Sequence, residues 1–195
     1  RVRCQVRATP VNEGAGVRVN RLIGASSLAS LDPFLMLDEF RSDRAQDYVA
    51  GFPEHPHRGF ETVTYMLAGR MRHADNQGNA GVLEPGGLQW MTAGRGIVHS
   101  EMPEQESGQM RGFQLWVNLP ARDKMGAPGY QTLLDAEIPS VDLPDGAGRV
   151  RVIAGRFHGH AGPARTHTPM DVWDIRLQQG HHTDLPVAEG RTLAL

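Results

Sequence analysis

Short runs in which apolar and polar side chains alternate recur along the chain, and they predict β-strands rather than helices. In residues 61–67 (ETVTYML), Val63, Tyr65 and Leu67 fall on one face and Thr62 and Thr64 on the other, the period of two expected of a half-buried strand. Residues 111–117 alternate again, with Phe113, Leu115 and Val117 opposite Gly112, Gln114 and Trp116. The polar cluster at 75–79 (DNQGN) supplies residues that tolerate positive φ and predicts a hairpin turn. With 23 glycines and 13 prolines falling between such runs, the chain reads as strands joined by tight turns, in an antiparallel barrel or sandwich. Residues 139–148, rich in proline, aspartate and glycine, read as a linker. That division gives a first domain over 1–138 and a second over 149–195. The strands expected in the second, at 149–153 and 172–177, are few for an independent sheet.

Composition narrows the function classes. Of 195 residues, 39% are hydrophobic and 22% charged, with a formal net charge of -2; this balance fits a folded core and argues against an electrostatically driven nucleic-acid binder. Neither a groove-reading helix nor a clustered basic face is present in the sequence, so direct nucleic-acid recognition is not expected. Cys4 is the single cysteine, which excludes an intrachain disulfide and a thiolate metal cluster and fits a reducing compartment. No apolar run is long enough to span a bilayer, and the arginine-rich start lacks a signal-peptide core. A soluble, unexported, cytoplasmic protein with no membrane partner is predicted.

Two pairs of residues carry candidate chemistry. Residues i and i+2 of a strand point the same way, so His55 and His57 converge on one side. Pro56 between them suits an edge or strand-start position. Further on, His99 and Glu101 repeat the spacing, after Gly94 and Gly96, which allow a sharp turn into that strand. Three neutral imidazoles and a carboxylate form a nitrogen and oxygen set suited to iron, manganese, nickel, copper or zinc. Glu61 shares parity with His55 and His57, and spacing alone leaves it open as the carboxylate ligand, as a partner of Arg58, or as a hydrogen-bond partner of a ligating imidazole.

The chain resembles the pirin family of bicupin proteins. The resemblance rests on residues 31–40 (LDPFLMLDEF), 55–63 (HPHRGFETV), 88–103 (LQWMTAGRGIVHSEMP) and 114–119 (QLWVNL), and extends from about residue 6 to 139. It implies an all-β fold of two stacked cupin barrels, jelly-roll-like and antiparallel, the first complete and the second only partly present. It also implies one mononuclear divalent metal, Fe(II) by preference over Zn, Mn, Ni or Cu, held in the first barrel by His55, His57, His99 and Glu101. This assigns the carboxylate ligand to Glu101 and leaves Glu61 to a supporting role behind the ligands. Asp38, Phe52, Arg58, Met71, Met102 and Gln114 are implied to line a substrate pocket, while Trp90 and Trp116 are assigned to packing. His158, His160, His167, His181 and His182 are read as surface or loop residues.

The activity so implied is that of a quercetin 2,3-dioxygenase. A flavonol would bind through its 3-hydroxyl and 4-carbonyl oxygens, Glu101 would accept the hydroxyl proton, and dioxygen would open the heterocycle with loss of carbon monoxide. The alternative implied is a regulatory protein whose metal and redox state governs docking to a transcription factor or metabolic enzyme.

Overall fold

The computed structural model describes residues 4–195, and the chain divides into two compact units between Asp135 and Ala136. In the first unit the strands are β1 (Thr9–Glu13), β2 (Val17–Ile23), β3 (Phe34–Ser42), β4 (Phe52–His57), β5 (Phe60–Ala68) and β6 (Met71–Asp75). They are followed by β7 (Ala80–Leu83), β8 (Leu88–Thr92), β9 (Ile97–Pro103), β10 (Met110–Asn118) and β11 (Gly129–Leu133). Seven of them form one sheet in the order β1-β2-β3-β10-β5-β8-β11 and four another in the order β4-β9-β6-β7; all pairings are antiparallel. The two inner faces meet through side chains, as where Thr64 on β5 bonds Glu101 on β9. The architecture is the antiparallel cupin β fold that the resemblance implies.

Along the inner faces, one end is apolar and the other polar. Val17 and Val19 of β2, Phe40 of β3, Met66 of β5, Met71 of β6, Leu83 of β7 and Met110 of β10 pack into a single buried cluster. Two and four residues further along the same faces, the strands carry Arg21, Asp38, Thr64 and Gln114 instead. This division matters for function, because the apolar end fixes the two sheets against each other while the other end is free to carry chemistry.

The strand positions follow the alternation in the sequence, but the faces are used differently. Thr62 and Thr64, expected on a solvated side, are each 2% exposed, and β5 is buried along both faces over most of its length. The physical reason is that β5 is a central strand, and its threonine face points across to β9. The expected turn at 75–79 joins β6 to β7: the Asp75 Oδ1 accepts hydrogen bonds from the backbone N–H groups of Gln77 and Asn79, both at 2.8 Å.

In the second unit, β12 (Ser140–Asp142), β13 (Gly148–Ala154) and β16 (Val172–Leu177) form a three-stranded antiparallel sheet. A hairpin of β14 (Arg156–Phe157) and β15 (His160–Ala161) completes its regular structure. Leu143, Val150, Val152 and Phe157 form its core. Residues 139–148, read as a linker from composition, carry β12 paired to β13 with Ser140 opposite Arg151; the boundary between units therefore lies a few residues earlier. No helix among the described residues is long and apolar enough to cross a membrane.

Candidate metal centre

β4 lies at the edge of the four-stranded sheet, so the N–H that Pro56 lacks is one the ladder does not need. Pairing in register sets His55 opposite His99, and cross-strand partners share a face. His55, His57 and His99 thus converge, with one ring nitrogen from each within 4.8 Å of the others and ring centroids 4.5 to 5.0 Å apart. The chain enters β9 through Gly94 and Gly96, whose φ angles are +51° and +138°. A Cβ on Gly94 would stand 2.3 Å from the Gly126 carbonyl oxygen, so both space and backbone conformation demand glycine there.

Burial favours the neutral, lone-pair-bearing form of His57 and His99. The His55 Nδ1 lies 2.7 Å from the Pro53 carbonyl oxygen, which can only accept, so Nδ1 is the donor and Nε2 is the nitrogen turned toward the cluster as a ligand atom. Burial, reinforced by His99 and His55 alongside, pushes His57 from its ordinary value down to about 3. His99 is also lowered by burial, against the opposing pull of Glu101. Both ring nitrogens of His99 are buried without a protein hydrogen-bond partner, an expensive arrangement unless a cation takes one of them.

Glu101 lies beside the histidine group, though it is not one of the three residues that cluster there. Its Oε2 is 3.9 Å from the His99 Nε2, and the carboxylate is 3% exposed. Thr64 Oγ1 donates to its Oε1 at 2.7 Å, and Gln114 Nε2 donates to both oxygens, at 3.3 and 3.0 Å. A buried carboxylate held by two neutral donors from the opposite sheet keeps a fixed orientation while retaining lone pairs for a metal or a proton. Three clustered imidazoles with an oriented carboxylate beside them are donors of the kind that first-row divalent cations take.

The cluster opens onto a cavity of about 890 Å³, within the range of small-molecule sites. Of the pocket residues expected from the sequence, Asp38, Phe52, Arg58 and Gln114 line it. Met71 and Met102 do not: Met71 is 2% exposed within the apolar cluster, and Met102 packs at Gly51, where an added Cβ would meet its sulfur at 2.7 Å. Both fill space, as methionine commonly does. Glu61 accepts a hydrogen bond from Thr92 Oγ1 at 2.7 Å. Three residues from Thr64, it points to the opposite face of β5; it is absent from both the cavity wall and the histidine group.

Three contributors escaped the sequence reading. Thr64 looked like a solvated threonine. Trp116, assigned to packing, lines the cavity, meets His57 edge-on at 5.2 Å and packs against Phe60 in a tilted arrangement at 4.6 Å. Arg21, within the arginine-rich start of the chain, is part of the cavity wall. For Trp116 a signal existed, since it shares strand parity with Gln114, already singled out.

Two antiparallel sheets closing around a three-histidine cluster define a cupin-type protein with a site of the kind that holds a metal ion. Comparison with known proteins narrows the class. The Pirin family model matches residues 16–117, and a pirin-like protein of Caulobacter vibrioides is 55% identical over 192 residues, covering 97% of this chain and 69% of its own length. The chain belongs to the pirin family. A Pseudomonas aeruginosa protein named provisionally as a quercetin 2,3-dioxygenase is 53% identical over 196 residues, 93% of this chain and 68% of that protein. Among solved structures, a quercetin 2,3-dioxygenase from Acinetobacter baumannii superposes with a TM-score of 0.80 at 35% identity, covering 90% of this chain and 63% of that one. The chain thus spans about two thirds of the length of these relatives.

Proposed function

We propose that the first unit is a metal-dependent dioxygenase centre that opens flavonols, a quercetin 2,3-dioxygenase in type. The observation that carries the proposal is the convergence of His55, His57 and His99 beside an oriented, buried Glu101 at one end of an aromatic-walled cavity. The names carried by the Pseudomonas and Acinetobacter relatives support it. In this reading His55, His57, His99 and Glu101 hold the cation, Fe(II) by preference. When bound, it supplies Lewis acidity that lowers the pKa of a coordinated hydroxyl, together with redox access to dioxygen.

The protein's own groups do the rest. Phe60 and Trp116 present ring faces and edges beside His57, a wall suited to a flat aromatic substrate. Glu101 accepts the substrate's acidic proton at a carboxylate oxygen, and the hydrogen bonds from Thr64 and Gln114 keep that oxygen aimed while its charge changes. The buried flank of the site, closed by His73 and by Tyr130 donating to Asp75 at 2.9 Å, limits water to the cavity side. Aerobic incubation of metal-loaded protein with quercetin should bleach the flavonol absorbance, and Glu101→Gln should not; equal rates for the two would refute the proposal.

A second reading, of a metal- and redox-dependent regulator, is favoured by one feature: Arg58 directly follows His57 yet is exposed at the cavity wall, so a change of metal charge lies next to a surface cation. A pull-down whose partners differ between Fe(II)- and Fe(III)-loaded protein, and lose that difference in Arg58→Ala, is the expected result. For either role, the cytoplasm is the compartment we propose.

A further inference from the structure

The inner face of the seven-stranded sheet carries a polar row that leads away from the histidines. Thr64 on β5 lies opposite Gln114 on β10, Gln114 opposite Asp38 on β3, and Asp38 opposite Arg21 on β2. Gln114 is already bonded to Glu101. Arg21 sits two strands beyond Gln114, roughly 10 Å away at the usual interstrand spacing, and all of Gln114, Asp38 and Arg21 line the cavity. The cavity therefore has two polar ends. One is the imidazole cluster; the other is Arg21 with its partners.

That far end is built rather than incidental. Arg21 Nε and Nη2 donate to the two oxygens of Asp38 at 2.9 and 2.7 Å, and Nη2 donates also to Glu13 Oε1 at 2.7 Å. Three bonds fix the guanidinium plane, and among the described residues Nη1 is left with no protein partner, though the side chain is only 17% exposed. Glu13, 41% exposed, keeps an oxygen available. A fixed donor beside an open acceptor matches a pair of neighbouring hydroxyls, each of which both donates and accepts. Charge narrows the class further: at this end of the cavity, among the described residues, Glu13 and Asp38 stand against Arg21 alone, a local acidic excess that disfavours carboxylated or phosphorylated ligands.

We infer that Arg21 and Glu13 form a recognition subsite for the hydroxyl-bearing ring of an uncharged planar polyphenol whose other end meets the histidine cluster. The inference rests on the flavonol reading of the site and adds to it which substituents the protein selects and with which residues. Selectivity then follows from desolvation: a ligand lacking those hydroxyls strips water from Nη1 and Glu13 and returns nothing.

The test is equilibrium binding under anaerobic conditions to the metal-loaded full chain, followed by quenching of tryptophan fluorescence. Quercetin, with two adjacent hydroxyls on its pendant ring, is compared with galangin, which has none there. Wild type should prefer quercetin by at least tenfold. Glu13→Ala, and Arg21→Lys, which keeps a cation against Asp38 but removes Nη1, should each bring the ratio below about twofold, chiefly by weakening quercetin. Equal affinities in wild type, no binding of either flavonol, or a preference unchanged in both variants would overturn the subsite. Because binding is read without oxygen, preference without any aerobic turnover sinks the dioxygenase reading alone, whereas turnover without preference sinks the subsite alone.

Discussion

At the scale of single residues, the site depends on a threonine. Thr64 Oγ1 gives Glu101 Oε1 its shortest hydrogen bond, and such bonds to a buried charged group contribute about 1.5–3 kcal/mol. Thr64→Val keeps the shape and removes the donor. The folded protein should survive, and its metal affinity should fall by about 10- to 100-fold, as for other groups that orient a ligand. Competition against a chelator of known affinity measures this, and Thr64→Ser should restore most of the loss. Protonation gives a second expectation at this scale. In metal-free protein, burial holds His57 near 3 and lowers His99 and His73, so between pH 6.5 and about 3 the unfolded chain binds protons that the folded chain refuses. Stability is then fully present above pH 6.5 and declines as pH falls through that window. Denaturant midpoints of metal-free protein at pH 7.5 and 5.0 should differ in that direction, and His57→Asn should reduce the difference.

At the scale of strands, one glycine sets how β10 sits. Gly112 has no positive φ, but a Cβ there would lie 2.4 Å from Phe40 Cζ and 2.5 Å from the Tyr65 carbonyl oxygen. The Phe40 ring occupies the space above the glycine, so Gly112→Ala should cost at least about 1–3 kcal/mol, the usual range for overpacking, read as a lowered thermal midpoint. Strand-level reasoning also marks what the sequence could and could not disclose. The i, i+2 pairs His55/His57 and His99/Glu101 were legible because parity is a local property of a strand. Which face of β5 and β10 looks inward was not. The rule that the apolar face is interior picks Val63 and Tyr65, and these are indeed buried, yet Thr64 and Gln114 on the other face meet the site. Only the placement of the second sheet across from them decides that. Arg21 was hidden for the same reason: its role comes from register with Asp38, a partner seventeen residues away.

At the scale of the molecule, the strand-and-turn architecture was readable, whereas the paired strand inside residues 139–148 was not. Residues 140–142 form only a three-residue strand, too short for alternation to show, and the 3-10 turn behind it holds Asp145 at φ 54°; composition alone makes such a segment resemble a connector. Metal should tie the stability of the first unit to its chemistry. A ligand that binds only the folded state, at a hundred times its dissociation constant, stabilises by about 2.7 kcal/mol. Calorimetry before and after chelation should show a fall in the unfolding temperature that readdition of Fe(II) reverses, and the His99→Ala protein should show no response to either step.

The seat of His55 and His57 on an outermost strand has one more outcome. β4 is hemmed along a single side, with its ladder to β9 broken between Phe52 and His55, so two of the three imidazoles ride on an edge strand with an interrupted ladder. A captured ion would act as the missing seam. Stripping it should let this ribbon unzip first, and its amides should trade hydrogen for deuterium well before those of β5 or β10.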